Sequence, residues 1–279
     1  MPRVRIVTDS SCDLRSALAN AHGIDIVPLS IRFGDEEYTD GVDLSVEEFY
    51  EKMRSFPGLP ETAAPAPGQF EEVFRRASSN GYDSVVCINL SSELSATMQS
   101  AQTAAKTLED GFDVRVIDSR SITMGLGTIV LEAAKAAHEG KDADEIVALV
   151  DALRSRTRVV GALDTLENLK KGGRIGGAQA FIGSMLSIKP LVDISTGAVE
   201  KAGQQRTRKK SLLWLRDRVL QEGVERLAVM HAEAPDIEEF LSLLSEDINR
   251  DEIHVDLLGP VIGTHAGLGT IGCCWLVPS

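Results

Sequence analysis

The sequence has no long hydrophobic run. No apolar stretch approaches the ~18 residues that a membrane-spanning helix requires. The segment Met1 to Asp9 turns polar after one short apolar run, so no signal-peptide core is expected. A cytoplasmic protein is therefore expected, with any membrane contact transient. Positive charge is in deficit: 29 Lys and Arg stand against 42 Asp and Glu, a formal net charge of −13. That excludes broad electrostatic binding to nucleic acid or to anionic membranes, though Arg206-Thr207-Arg208-Lys209-Lys210 remains a local basic patch. Cysteine is scarce. Cys12, Cys87, Cys273 and Cys274 show no CxxC spacing, and the adjacent pair lies in an apolar strand pattern. They read as core thiols in a reducing cytosol, and no metal site is expected. A G-x-S-x-G nucleophile elbow is also missing. Ser95 stands between Leu94 and Ala96, which argues against acyl hydrolysis by a Ser-His-Asp triad.

What is present describes a soluble α/β protein. At 279 residues, 43% hydrophobic and 25% charged, the chain is long for one core, and two domains are the natural expectation. Strand patterns at Val4–Thr8, Ile24–Ile31, Ser84–Leu90 and Val114–Ile117 alternate with helical ones. The helices are expected at Leu14–Ala21 with Asp13 as cap, from the capping box at Ser45 to Ser55, at Phe70–Ser79, on Leu94-Met98-Ala101-Ala105-Leu108, and near 126–139 and 144–155. Pro57 to Gly68, with four prolines, reads as loop. Such alternation implies a largely parallel sheet with helices on both faces. The rhythm changes near Arg156. Beyond it, strands at Val159–Leu163, Leu186–Ile194, Leu227–His231, Ile253–Leu257 and Gly272–Val277 mix with helices at Leu212–Gln221 and Ile237–Ile248. We therefore expect an N-terminal α/β domain over 1–156 and a C-terminal mixed α/β domain over 157–279.

Four segments carry polar chemistry. Thr8-Asp9-Ser10-Ser11-Cys12-Asp13 follows the first strand, where parallel sheets place ligands; helix capping explains the same residues. Asn89 to Thr97 sets several hydroxyls at a helix N-terminus, a place that attracts anions. Leu169-Lys170-Lys171-Gly172-Gly173-Arg174-Ile175-Gly176-Gly177 resembles a phosphate cradle without matching the P-loop pattern. Gly259 to Gly269 packs four glycines, a proline, Thr264 and His265 into a segment that reads as a turn before the last strand, able to bring an imidazole and backbone N–H groups to one anion.

Taken together and in this order, these segments resemble the DegV family, the fatty-acid-binding subunits of bacterial fatty acid kinase. The Thr62 loop, Ser91 to Ala101, Leu166 to Ile175, Ile188-Lys189-Pro190-Leu191 and Gly259 to His265 carry the resemblance, which spans almost the whole chain. It implies two α/β domains with a long-chain fatty acid buried between them. It also implies a partner kinase that turns the carboxylate into an acyl phosphate, and no catalysis, cofactor or metal in this chain. By the same resemblance the carboxylate meets Thr62, Ser95 and His265 with the backbone N–H of Ala96 nearby, and Arg174, Lys170 and Lys171 support that region or face the partner. The chain departs from the family pattern at Ala63, where a second small polar residue is usual, and at Ala96, where glycine is usual; both bear on acyl preference. The competing readings are an enzyme acting on a phosphorylated small molecule through the Lys170–Arg174 loop, and a pure interaction module.

Overall fold

The computed structural model describes residues 2–108, 111–181 and 188–279. A parallel sheet forms first, from β1 (Val4–Asp9), β2 (Ile24–Val27), β6 (Ser84–Asn89) and β7 (Asp113–Asp118), in the order β2-β1-β6-β7. Both faces of its strands are apolar, as a sheet covered on both sides requires. Val7, Val85 and Cys87 turn toward α3 (Pro67–Ser79) and α4 (Thr97–Lys106), where they meet Phe70, Phe74 and Ala101. Ile6, Val86 and Ile88 turn the other way, toward α5 (Thr123–His138) and α6 (Ala143–Arg156). Phe70 and Phe74 are fully buried, each worth ~1.5–3 kcal/mol.

The second sheet is mixed. It contains β8 (Thr157–Ala162), β9 (Lys189–Asp193), β10 (Glu200–Gln205), β11 (Arg226–His231), β12 (Ile253–Leu257) and β13 (Ile271–Leu276). Their order is β10-β9-β8-β13-β11-β12, and every pair is antiparallel except β11 with β12. The period of two sorts its faces as well. Val160, Ala162, Val229, Cys273 and Trp275 pack under α8 (Arg208–Gln221) and α9 (Ile237–Leu244). Val159, Ala228, Met230 and Cys274 face the first half of the chain. Helix α5 lies in that gap and touches both sheets. It is buried nearly all round, as its apolar sequence demands. Two of its glycines permit this: a Cβ on Gly125 would stand 2.5 Å from Val159 Cγ2, and one on Gly127 would stand 2.6 Å from the Cys12 carbonyl oxygen.

A three-stranded antiparallel sheet completes the architecture, from β3 (Ser30–Phe33), β4 (Glu36–Thr39) and β5 (Glu61–Ala63), in the order β4-β3-β5. Beside it lies α2 (Val46–Ser55), opened by the expected capping box: Glu48 N–H donates to Ser45 Oγ, and Ser45 N–H to Glu48 Oε2. From the other half of the chain, α7 (Glu167–Lys171) and α10 (Pro260–Ala266) come in, and α10 contacts α7, α2, β3 and β5. Tyr50 Oη on α2 donates to the Leu258 carbonyl at 2.9 Å, fastening that junction. Among the described residues, no helix is long and apolar enough to cross a membrane.

Several expectations need correction. The single strand over Ile24–Ile31 is two, in two sheets, because Pro28 has no N–H for a ladder and the chain turns there. The proline-rich loop contains β5, and α3 begins earlier than expected, with Pro67 at its first position. Asp13 does not cap α1 (Ser16–Ala21), whose N-cap is Arg15; it is left-handed at φ 53° and closes the 3-10 turn Ser10–Cys12. The glycine-rich segment before the last strand is largely helix α10, with Pro260 in its first turn and Gly267 closing it at φ 81°. Helix α9 ends at Leu244, and α4 starts at Thr97 rather than Leu94. Of the strand expected over Leu186–Ile194, residues 186 and 187 lie outside the described residues, and β9 covers Lys189–Asp193, without Ile188 and Ile194.

Candidate functional site

A cavity opens where the two large sheets, α10 and the turn before α4 converge. Its floor is the inner face of β8 and β13, with Val159, Gly161, Gly272 and Cys274 alternating along it. Leu258, Val261 and Ile262 from the start of α10 and the residues before it form one side. Glycine matters on this floor. With no side chains at Gly161 and Gly272, which pair across the two strands, the space above them stays open.

Polar side chains gather at one end. Thr62, in β5 opposite Ile31, and His265, in the last turn of α10, meet with Oγ1 and Nε2 2.9 Å apart. Either can donate, depending on the imidazole tautomer. His265 is deeply buried; desolvation, helped by the positive charge of Arg174, brings its pKa down to about 4, so the ring is neutral at pH 7. Its Nδ1 is buried without a partner among the described residues and faces Gly172, where a Cβ would stand 2.4 Å away. Ser95 sits one residue before the N-cap of α4, and its Oγ lies 2.9 Å from Thr97 Oγ1 and accepts from Thr97 N–H at 3.3 Å. Arg174 ties this turn to the α7 turn: Nε donates to the Leu94 carbonyl at 3.2 Å and Nη1 to the Gly172 carbonyl at 2.7 Å.

Of the residues singled out from the sequence, Thr62, Ser95, Arg174 and His265 thus line one end of one cavity. Ala63 also lines it. Ala96 follows Ser95 but is exposed and stands outside the lining, and Lys170 and Lys171 point to solvent, Lys171 paired with Glu167 at 2.5 Å. The local basic patch at 206–210 is divided: Arg208 is held by Asp236 and by the Gly269 carbonyl, while Lys209 and Lys210 are exposed. Sequence reasoning missed Thr123, Thr270 and Cys274, which also line the cavity. No motif surrounds them; only the face-by-face parity of β13 pointed to Cys274. It also passed over Gly267-Leu268-Gly269-Thr270-Ile271-Gly272, which has dinucleotide-fingerprint spacing. That segment runs from a helix into a strand, the reverse of the order that cradles a pyrophosphate. Among the described residues, no group of three or more His, Cys, Asp or Glu is placed to hold a metal ion.

A two-sheet α/β protein enclosing a mainly apolar cavity with one polar end is the class that this fold and site define. Comparison with known proteins makes it specific. The family model described as "Uncharacterised protein, DegV family" matches residues 3–277, and the chain belongs to that family. A DegV domain-containing protein of Halalkalibacterium halodurans is 37% identical over 99% of both chains. A DegV family protein from Thermus thermophilus, described for its fatty acid binding, superposes with a TM-score of 0.87 at 32% identity, covering 99% of this chain and 100% of that one. DegV of Bacillus subtilis, described as a fatty acid binding protein, gives 0.88 at 30% identity with all of both chains covered. The architecture expected from the sequence, a parallel sheet with helices and a mixed C-terminal sheet, is that of these structures.

Proposed function

We propose that this protein binds one long-chain fatty acid in the cavity and presents its carboxylate to a partner kinase for conversion to an acyl phosphate. The observation that carries the reading is the convergence of Thr62, Ser95, His265 and Arg174 at a single end of an otherwise apolar cavity. A carboxylate in a dry site needs donors or it takes up a proton. Two hydroxyls, an imidazole that can gain a proton when an anion arrives, and a nearby guanidinium meet that need. The alkyl chain runs along β8 and β13. Burial is worth about 0.8 kcal/mol per methylene, so a dozen methylenes contribute on the order of 10 kcal/mol. About 100 Å³ is open in this conformation, and ligand pockets usually span ~300–1,000 Å³, so loading requires the aliphatic walls to part.

The chain acts as a carrier in this reading. The carboxylate attacks the terminal phosphate of a nucleotide held by the partner, and the nucleoside diphosphate leaves with the partner. Lys170 and Lys171, exposed on the α7 turn next to Arg174, are suited to that docking. The two halves, 1–156 and 157–279, serve as the domains between which the acid sits, in a cytoplasmic protein. An enzyme for phosphorylated small molecules fits less well, because Arg174 is the one cationic side chain among the described lining residues and the walls are aliphatic.

The test is mass spectrometry of lipid extracted from the denatured protein, followed by titration with palmitate and oleate. A long-chain acid in roughly equal amount to the protein supports the reading; a nucleotide or sugar phosphate in its place overturns it. Incubation with ATP, magnesium and fatty acid should yield acyl phosphate only once the kinase is added.

A further inference from the structure

The cavity has a second polar region, away from the Thr62 end. The floor strands give the direction. Ile271 and Ala162 pair near Thr270 and Ala266, beside His265, whereas Cys274 and Val159 pair three residues further on, roughly 10 Å along the strands. At that inner end Thr123 lines the wall with Ile122. Thr123 opens α5, whose N-cap residue Ile122 offers no side-chain cap to the free N–H groups of the first turn.

Of the polar residues gathered here only Thr123 lines the cavity; Asp13 lies behind it and lines a separate pocket with Asp40, Asp256 and Gly259. Thr123 Oγ1, both carboxyl oxygens of Asp13 and Ser121 Oγ are all shut off from solvent and lack any hydrogen bond among the described residues. Thr123 and the Gly259 N–H lie closest to the Asp13 carboxyl and favour its charged form, against the stronger effect of its burial. Asp13 is pressed onto the start of α10, where a Cβ on Gly259 would stand 2.3 Å from its Oδ1. Ser121 Oγ lies at Gly125, whose added Cβ would stand 2.3 Å from it and 2.5 Å from the cavity-lining Val159. The backbone is strained at the same place: Asp13 at φ 53° and Thr123 at φ 46° are both left-handed, and a β-branched residue there is a genuine outlier. Unpaired buried polar atoms and strained backbone recur together at ligand sites.

Resting on the fatty-acid reading above, we propose that this inner end is a polar subsite for an oxygenated acyl chain, a hydroxy fatty acid whose hydroxyl is recognised by Thr123, with the Asp13 carboxyl behind it. The chemistry selects a hydroxyl over a charged group. Desolvation keeps the Asp13 carboxyl protonated, with a pKa pushed up to about 8, so it has a proton to donate and an oxygen to accept. A second carboxylate would lose its hydration with no cation to meet it, and an ammonium would lose its own with no anion. A hydroxyl gives one hydrogen bond and takes another, while the rest of the chain stays on aliphatic walls. A rotation of Thr123 about χ1 turns its own hydroxyl from Asp13 toward the cavity.

The test measures affinities of stearate and of stearates carrying one hydroxyl, moved carbon by carbon from mid-chain to the methyl end. The wild-type protein is compared with Thr123→Val, which keeps the shape, and Thr123→Ser, which keeps the hydroxyl. At one position the hydroxylated acid should bind on the order of ten-fold tighter than its neighbours in the series. Thr123→Val should flatten that peak, weakening the hydroxylated acid about ten-fold relative to stearate measured in the same variant, and Thr123→Ser should restore it. A flat profile in the wild type, as expected if an internal water occupies these atoms, overturns the proposal. So does a peak that survives in Thr123→Val. If stearate itself does not bind, the fatty-acid reading falls with it; if stearate binds and the profile is flat, only the hydroxyl subsite falls.

Discussion

At the Thr62 end of the cavity the polar side chains hold one another: Thr62 meets His265, Ser95 meets Thr97, and Arg174 rests on two carbonyls. At the Thr123 end the side-chain oxygens of Asp13, Ser121 and Thr123 are shut off from solvent and have no hydrogen-bond partner among the described residues. The first end is assembled from turns and helix ends of both halves, partly open to solvent, and its groups can exchange their mutual bonds for bonds to a carboxylate. The second lies at the start of α5 between the two large sheets, and its unpaired oxygens are shut off from solvent. On the proposed reading the contrast separates two jobs within one cavity. A partly open end whose groups mostly hold one another, His265 Nδ1 apart, suits a head group that must be shown to a partner; an end with several unpaired oxygens suits discrimination along the chain.

The largest expected effect is in pH dependence, which runs oppositely at the two ends. Asp13 is pushed up to about 8 from 3.8, so its contribution to stability is full at low pH and is lost as pH rises through about 8. Asn fits the same left-handed backbone and does not ionise. Asp13→Asn should therefore gain stability over the wild type between pH 4 and 8, by on the order of a few kcal/mol at the top of that range. His265 is pulled down to about 4 from 6.5, so its contribution is full above pH 6.5 and is lost as pH falls to about 4. Relative to His265→Gln, the wild type should lose up to ~3 kcal/mol over that interval. Denaturant unfolding across pH checks both, and slopes of the same sign would erase the contrast.

Next in size is acid binding at the outer end. Ser95→Ala and His265→Ala each remove a hydrogen bond to a charged group, worth ~1.5–3 kcal/mol, or roughly ten- to hundred-fold in Kd by calorimetry. Unchanged affinity in both variants would remove the carboxylate from this end. Rigidity at the centre comes third. Gly127→Ala sets a methyl 2.6 Å from the Cys12 carbonyl, a backbone atom that cannot swing away. Overpacking should cost about 1–3 kcal/mol in thermal unfolding despite the better helix propensity of alanine. The smallest effect belongs to Lys170 and Lys171. Reversing both to Glu should leave acid affinity within ~0.5 kcal/mol, as surface changes do, while slowing kinase-dependent phosphorylation and changing its salt dependence.

These regions differed as much in legibility as in chemistry. The buried strands and α5 were readable because apolar residues recur with period two in one case and fill the whole segment in the other. Polar strands were not. Glu36–Thr39 and Glu200–Gln205 carry no apolar alternation, and pairing with a neighbour rather than burial makes them strands. Helix α10 hid behind its glycines because packing on α2 and β5 supplies the stability that its composition lacks. At the site, Ser95, Arg174 and His265 stand in segments whose own residues suggest an anion, but Thr62 and the meeting of all four came only through the resemblance to a family, since they lie in four separate segments whose meeting is tertiary. Asp13 read as a helix cap, and Thr123 stands in no motif. Nothing local marks a polar group whose partner is missing.

The account stands or falls on which way round the acid lies, and the most direct measurement is the magnetic resonance of a bound fatty acid isotope-labelled at its carboxyl carbon. With the carboxylate at Thr62, Ser95 and His265, the bound signal should shift in Ser95→Ala and in His265→Ala and stay in place in Thr123→Val. A signal that moves in Thr123→Val and ignores the other two would put the carboxylate at the inner end and contradict the account.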